Sequence, residues 1–426
     1  MNLATNRGHA FVLAACGAAI ALAGFAPRTA AAQDLLVRNA TVHTAGAAGT
    51  LRGSDVLVRD GRIAAVGTGL SAPAGATVVD ADGRALTPAL FGGITGIGIE
   101  EVPGESSTVD TTLALGAGAQ PVMTVRPEFD VTLAYNPASV LLPVARIEGI
   151  GFTLLHAGNA RGGSIIGGQG GTMRLDGGID PVGPRVLFLE LGSAGAGLSG
   201  QSRAAQWMLL DQLVDEARGR IAPESRNALM TPAGRAALAR YLDGKGLMAV
   251  EVERASDIVQ LLRWSKRQGV RVAVVGGAEA WKVAPQLAAA KVPVFVDTLA
   301  NLPADFDRIG ATLENAARLQ AAGVEVSFSQ ASDASQNARK IRQLAGNAVA
   351  NGMPWDAAFA GLTSAPARVL GLDGELGTIA PGRRADLVLW SGDPLELTSL
   401  PDQVWLDGRA QPMRSRQTEL RDRYLK

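Results

Sequence analysis

The side chains in this sequence best placed to do chemistry are acids. Glu190, Glu251, Glu253, Asp297 and Asp333 each stand at or just beyond the end of a short apolar run. Glu251 and Glu253 are two apart, so in an extended strand they share a face. Carboxylates gathered in this way suit general acid–base work, or a hard cation such as Mg2+ or Ca2+ rather than Zn2+. The structural alternative is that they cap helices or pair with Arg254, Arg271 and Arg339. Histidine is scarce: the 426 residues include only 3, His9, His43 and His156. His156 ends an apolar run ahead of Ala157-Gly158-Asn159. There a lone imidazole would serve either as a metal-free general base or as a hydrogen-bonded, part-buried side chain. His43 belongs to another region and reads as structural.

Other chemistries are excluded. The run Gly162–Gly171 lacks the Lys-Ser/Thr ending of a phosphate loop and opens no helix, so it reads as a flexible or close-packed loop. No G-x-S-x-G elbow presents a serine. The one cysteine, Cys16, lies in an N-terminal stretch that reads as an export signal: Arg7, an apolar run from Ala10 to Ala26, Pro27, and Ala30-Ala31-Ala32 before Gln33. Cleavage there removes residues 1–32 and sends the protein to the periplasm or outside the cell without a thiol or disulfide. Lipidation of Cys16 in Leu13-Ala14-Ala15-Cys16 is the competing reading. Lys+Arg and Asp+Glu balance at 40 each, which gives no footprint for nucleic acid. No later run is long and apolar enough to span a bilayer. The expected ligand is a small molecule, and oligomers are open.

Two kinds of segment must position the acids. Residues 34–86 and 376–412 alternate as short strands, with Asp60-Gly61 and Asp407-Gly408 as hairpin turns, and read as one composite β-domain made by both chain ends. Between them, residues 87–375 alternate near-continuous apolar strands with amphipathic helices, the mark of a parallel sheet buried on both faces. Strands are expected at Ala85–Phe91, Gly151–His156, Arg185–Glu190, Leu247–Glu253, Arg271–Val275, Val292–Asp297 and Val324–Ser329. The eighth has no clear place. The fold class is α/β, a (β/α)8 TIM-like barrel with a small β-sandwich; a doubly wound sheet is the alternative.

The segments "SDVLVRDGRIAAVG", "LTPALFGGITGIG", "LTSAPARVLGLDGELGTIAPGRRADLVLW" and "GDPL" resemble the amidohydrolase superfamily, nearest its exported imidazolonepropionase-like branch. The resemblance implies a metal-dependent hydrolase of C–N bonds in amides or lactams. It also implies a His-x-His pair where this chain has Ile94 and Gly96. Later family histidines correspond to the segments Val250–Glu253 and Gly276-Gly277, and the last-strand Asp to Asp333. A zinc centre needs about three protein ligands, so no zinc cofactor is expected; a divalent metal would need a carboxylate site of Glu251, Glu253 and Asp333. Two functions stay open: a C–N hydrolase with a rearranged site that uses Asp333 or His156, or an inactive binding protein or partner of an active relative.

Overall fold

A computed structural model describes residues 34–113, 125–160, 163–331 and 334–425. The export segment, with Cys16, and Asp333 lie outside these residues. The chain first lays down β1 (Leu35–His43), β2 (Thr50–Arg59), β3 (Arg62–Gly67), β4 (Thr77–Asp80) and β5 (Ala85–Pro88). Eight strands follow: β6 (Leu90–Thr95), β7 (Ile150–Leu155), β8 (Ile166–Arg174), β9 (Val182–Glu190), β10 (Leu247–Val252), β11 (Arg271–Gly276), β12 (Val294–Val296) and β13 (Val326–Phe328). The chain closes with β14 (Leu387–Trp390), β15 (Pro401–Leu406) and β16 (Arg409–Ala410).

The first and last groups form one sheet in the order β16-β15-β14-β5-β1-β2-β3, with β4 also paired to β1. Its core includes Leu35, Val37, Val56, Leu86, Leu387 and Trp405. Both Asp-Gly pairs are the two-residue turns of hairpins, β2–β3 and β15–β16, with positive φ at Asp60, Gly61, Asp407 and Gly408.

The middle eight strands run β6 to β13 in sequential order as a nearly closed barrel. The rims of β6 and β13 meet through a side chain, the Ile94 N–H donating to Ser329 Oγ at 3.0 Å. Helices such as Arg203–Ala217, Ala255–Gln268 and Ile341–Ala350 pack outside the strands.

Two expectations are corrected. Ala85–Phe91 is not one barrel strand: β5 pairs with β14 and β1, and the chain passes at Ala89, whose N–H donates to Asp386 O (2.8 Å), into β6 of the barrel. The unplaced eighth strand is β8, which starts within the glycine-rich run read as a loop and extends three residues past it, and it runs antiparallel to both neighbours. Its glycines hide the usual alternation because they admit close backbone approach. A Cβ on Gly170 would lie 1.8 Å from Leu155 O. The sheets are tied by Arg174 of β8, 6% exposed, which donates to Asp386 (2.9 Å) and Asp407 (2.9 Å).

Candidate functional site

In a barrel of this kind the C-terminal strand ends carry the chemistry. Here they open into a cavity of about 220 Å3 that includes Glu100, His156, Glu251, Glu253 and Asp297 in its wall. Four of the five acids expected at strand ends are therefore at this mouth, because Glu190 of β9 stands in register beside Glu251 of β10. In-register residues of neighbouring parallel strands point the same way, about 4.8 Å apart.

The acids differ in what holds them. Glu253, just past β10, receives Arg308 Nη2 at 2.9 Å and the Ala278 N–H at 2.7 Å. Gly276 makes room for it, since a Cβ there would lie 2.5 Å from Glu253 Oε1. Burial still raises the Glu253 carboxyl above the usual range, against the pull of Arg308. Asp297 accepts the N–H groups of Leu299 (2.9 Å) and Ala331 (3.0 Å), which joins two mouth loops. Glu251 has no such donor among the described residues: burial first, then the charges of Glu190 and Glu253, push it up to about 7, opposed by Arg308. Glu190 is raised by burial. For the four described acids, the alternative of pairing with Arg254, Arg271 and Arg339 is not found. Arg254 binds Asp257 (2.9 Å), Arg271 donates to Lys245 O (3.0 Å), and Arg339 donates to Gln417 (3.1 Å).

His156 follows β7 and sets its ring edge-on to Phe188, centroids 4.9 Å apart. Burial lowers it to about 4, so the imidazole is neutral at neutral pH, and no carboxylate of the described residues alters that. It faces the same cavity as Glu251 without forming an acid–histidine dyad. His43 donates to or accepts from Thr50 Oγ1 at 2.9 Å and packs on Trp355 and Phe359, a structural setting.

Residues 94 and 96 lie at the end of β6. Ile94 carries no donor atom, and the space beside Gly96 is filled: a Cβ there would meet Glu100 Oε2 at 2.8 Å and Ser335 Oγ at 2.9 Å. Ser335 donates to Glu100 (2.8 Å) and accepts the Gly96 N–H (2.9 Å). Among the described residues no three His, Cys, Asp or Glu side chains converge to hold a metal ion. The donor set among the described residues does not fit a zinc centre. The carboxylate alternative has Glu251 and Glu253 on one wall, but Glu253 is engaged by Arg308, and Asp333 lies outside the described residues.

Sequence reasoning missed Glu100, Ser335 and Arg308. Glu100 was signalled by an acid pair directly after an apolar run. Arg308 comes from the loop between β12 and β13, where no periodicity marks it.

Residues 249–412 match the family model described as the amidohydrolase family. A stretch of 60 residues is 50% identical to amidohydrolase tasK of Hapsidospora irregularis. That stretch is 14% of this chain and spans only 6% of that protein. Among solved structures, an amidohydrolase from Thermotoga maritima MSB8 superposes with a TM-score of 0.77 and 24% identity, over 89% of this chain and 100% of that one. A prolidase complexed with N-methylphosphonate-L-proline gives a TM-score of 0.55 at 14% identity, over 90% of this chain and 100% of that one. At these identities the structural likeness establishes an amidohydrolase-type fold.

Proposed function

We propose that this amidohydrolase-fold chain binds a small polar solute at its barrel mouth, and that binding rather than zinc hydrolysis is its function. One observation carries the reading. A Cβ at residue 96, from which the second imidazole of a His-x-His pair would extend, would lie 2.8 Å from Glu100 Oε2 and 2.9 Å from Ser335 Oγ, which are hydrogen-bonded to each other, and Ile94 stands in place of the first. Metal analysis of the purified protein, together with turnover assays and melting-temperature shifts on cyclic amides and dipeptides, tests it. The expected result is ligand-dependent stabilisation with no metal-dependent turnover. Tightly bound stoichiometric divalent metal accompanied by turnover overturns it.

A second reading, hydrolysis of C–N bonds in cyclic or non-peptide amides, is favoured by Glu251. A carboxyl raised to about 7 is matched to general acid–base catalysis at neutral pH. It predicts turnover on the same panel that is lost in Glu251→Gln.

The N-terminal segment Met1–Ala32 supports export and cleavage before Gln33, which N-terminal sequencing of secreted material tests. An inactive member working beside an active relative would co-purify with it as a stable hetero-oligomer.

A further inference from the structure

We propose that the occupant of the barrel mouth is a small organic cation, a protonated amine or guanidinium, seated against the carboxylate of Glu251 in the cavity wall, with Glu190 beside it in register on β9. The proposal rests on the binding function above and names its ligand class.

The charge inventory of the cavity leads there. Glu100, Glu251, Glu253 and Asp297 line it, and no Lys or Arg does so among the described residues. Each lining acid but one is already committed: Glu100 to Ser335, Glu253 to Arg308 and Ala278, Asp297 to the Leu299 and Ala331 amides. The nearby cation, Arg308, is itself held by Glu253 at 2.9 Å, with Asp305 at 3.6 Å. Glu251 is mostly buried, faces the cavity and receives no side-chain hydrogen bond among the described residues, while its in-register neighbour Glu190 also carries a desolvated carboxyl. Two such groups side by side repel when both ionise. A ligand ammonium or guanidinium at Glu251 supplies the missing donor and offsets that repulsion.

The rest of the wall is compatible with an organic cation. Ile94, Phe188 and Val275 offer apolar surface, and the Phe188 ring offers a cation–π partner. His156 is neutral and so does not oppose a positive ligand. The cavity of about 220 Å3 has the volume of about seven waters, which limits the occupant to a few heavy atoms.

Calorimetry at pH 8 on the full chain, with three probes of similar size, tests the proposal: piperidine as cation, δ-valerolactam as neutral amide, valerate as anion. Piperidinium is expected to bind at least tenfold tighter than the lactam, with no binding of valerate. Glu251→Gln and Glu190→Gln are each expected to weaken piperidinium at least tenfold and to leave lactam binding within threefold. Cooperative melting at or above the parent's temperature would establish that these variants are folded. Lactam binding equal to or tighter than piperidinium, or piperidinium affinity unchanged in both variants, overturns the cation assignment and leaves the binding function standing. Failure of piperidinium to bind also overturns it. Among the binding measurements, the binding function falls if the wider panel of amides and dipeptides gives no stabilisation either.

Discussion

Glu100 stands where a side chain at residue 96 would have to go. Its Oε2 lies 2.8 Å from the position of a Cβ built on Gly96, and Ser335 anchors it there. The β6 end is therefore a packed polar cluster, and not a vacant ligand position awaiting an imidazole.

The double variant Ile94→His/Gly96→His is expected to restore no metal binding. Inserting a ring against Glu100 and Ser335 forces that cluster apart, at a cost of about 1–3 kcal/mol. Elemental analysis after incubation with Zn2+ checks the first expectation and a urea midpoint the second. Stoichiometric zinc in a fully stable variant would refute the packing argument.

Glu251 makes stability depend on pH. Its carboxyl stays protonated to about pH 7 in the folded protein, under burial and the charges of Glu190 and Glu253, whereas Arg308 opposes this. In the unfolded chain protonation is lost near pH ~4.3. The folded state thus holds an extra proton between these values, and stability from this group falls as pH rises across the window. Glu251→Gln, which mimics the protonated acid, should match the parent below about pH 4 and exceed it by up to about 3 kcal/mol at pH 8. Melting curves at the two pH values decide this; a constant difference between the proteins would count against it.

Arg308→Ala leaves Glu253 with the Ala278 N–H as its one donor among the described residues. Both partners of the pair are partly open, with 25% and 13% of their side chains exposed, so the loss is expected at about 1–3 kcal/mol, short of a fully buried pair. Burial then acts on Glu253 without opposition from the guanidinium, and its pKa should rise further. Chemical denaturation together with NMR titration of the carboxyl would measure both effects, and a lower pKa in the variant would contradict the assignment.

Gly170→Ala places a methyl carbon 1.8 Å from Leu155 O, a backbone atom of the neighbouring strand that has no rotamer to escape into. A loss of at least about 3 kcal/mol, or failure to fold, is expected. A melting temperature within a degree or two of the parent would mean that β8 does not pack against β7 as described.

Much of the architecture was legible because its signals are local. The Asp-Gly hairpins, the apolar runs of β9 to β11 and the helix Ala255–Gln268 follow from turn chemistry and periodicity. β8 was hidden because its glycines answer to the approach of Leu155, a non-local constraint that no alternation records. In the site, the acids at the ends of β9, β10 and β12 could be placed by counting along strands. Their partners could not: Arg308 reaches Glu253 from 55 positions downstream across a loop, and Ser335 reaches Glu100 across 235. Such separations are set by the closure of the barrel, and the sequence pattern around either residue carries no trace of the other.

The threading of the smaller sheet has a consequence for biogenesis. β14 sits between β5 and β15, so the strand laid down at residue 85 keeps one edge unsatisfied until residue 387 has been synthesised. A nascent chain with everything up to that point already emerged still exposes the edge of β5 and the apolar side chains that Leu387 and Trp405 will cover. The domain thus works as a clasp that only a finished polypeptide can fasten, and a truncated product remains open and recognisable to proteases or chaperones.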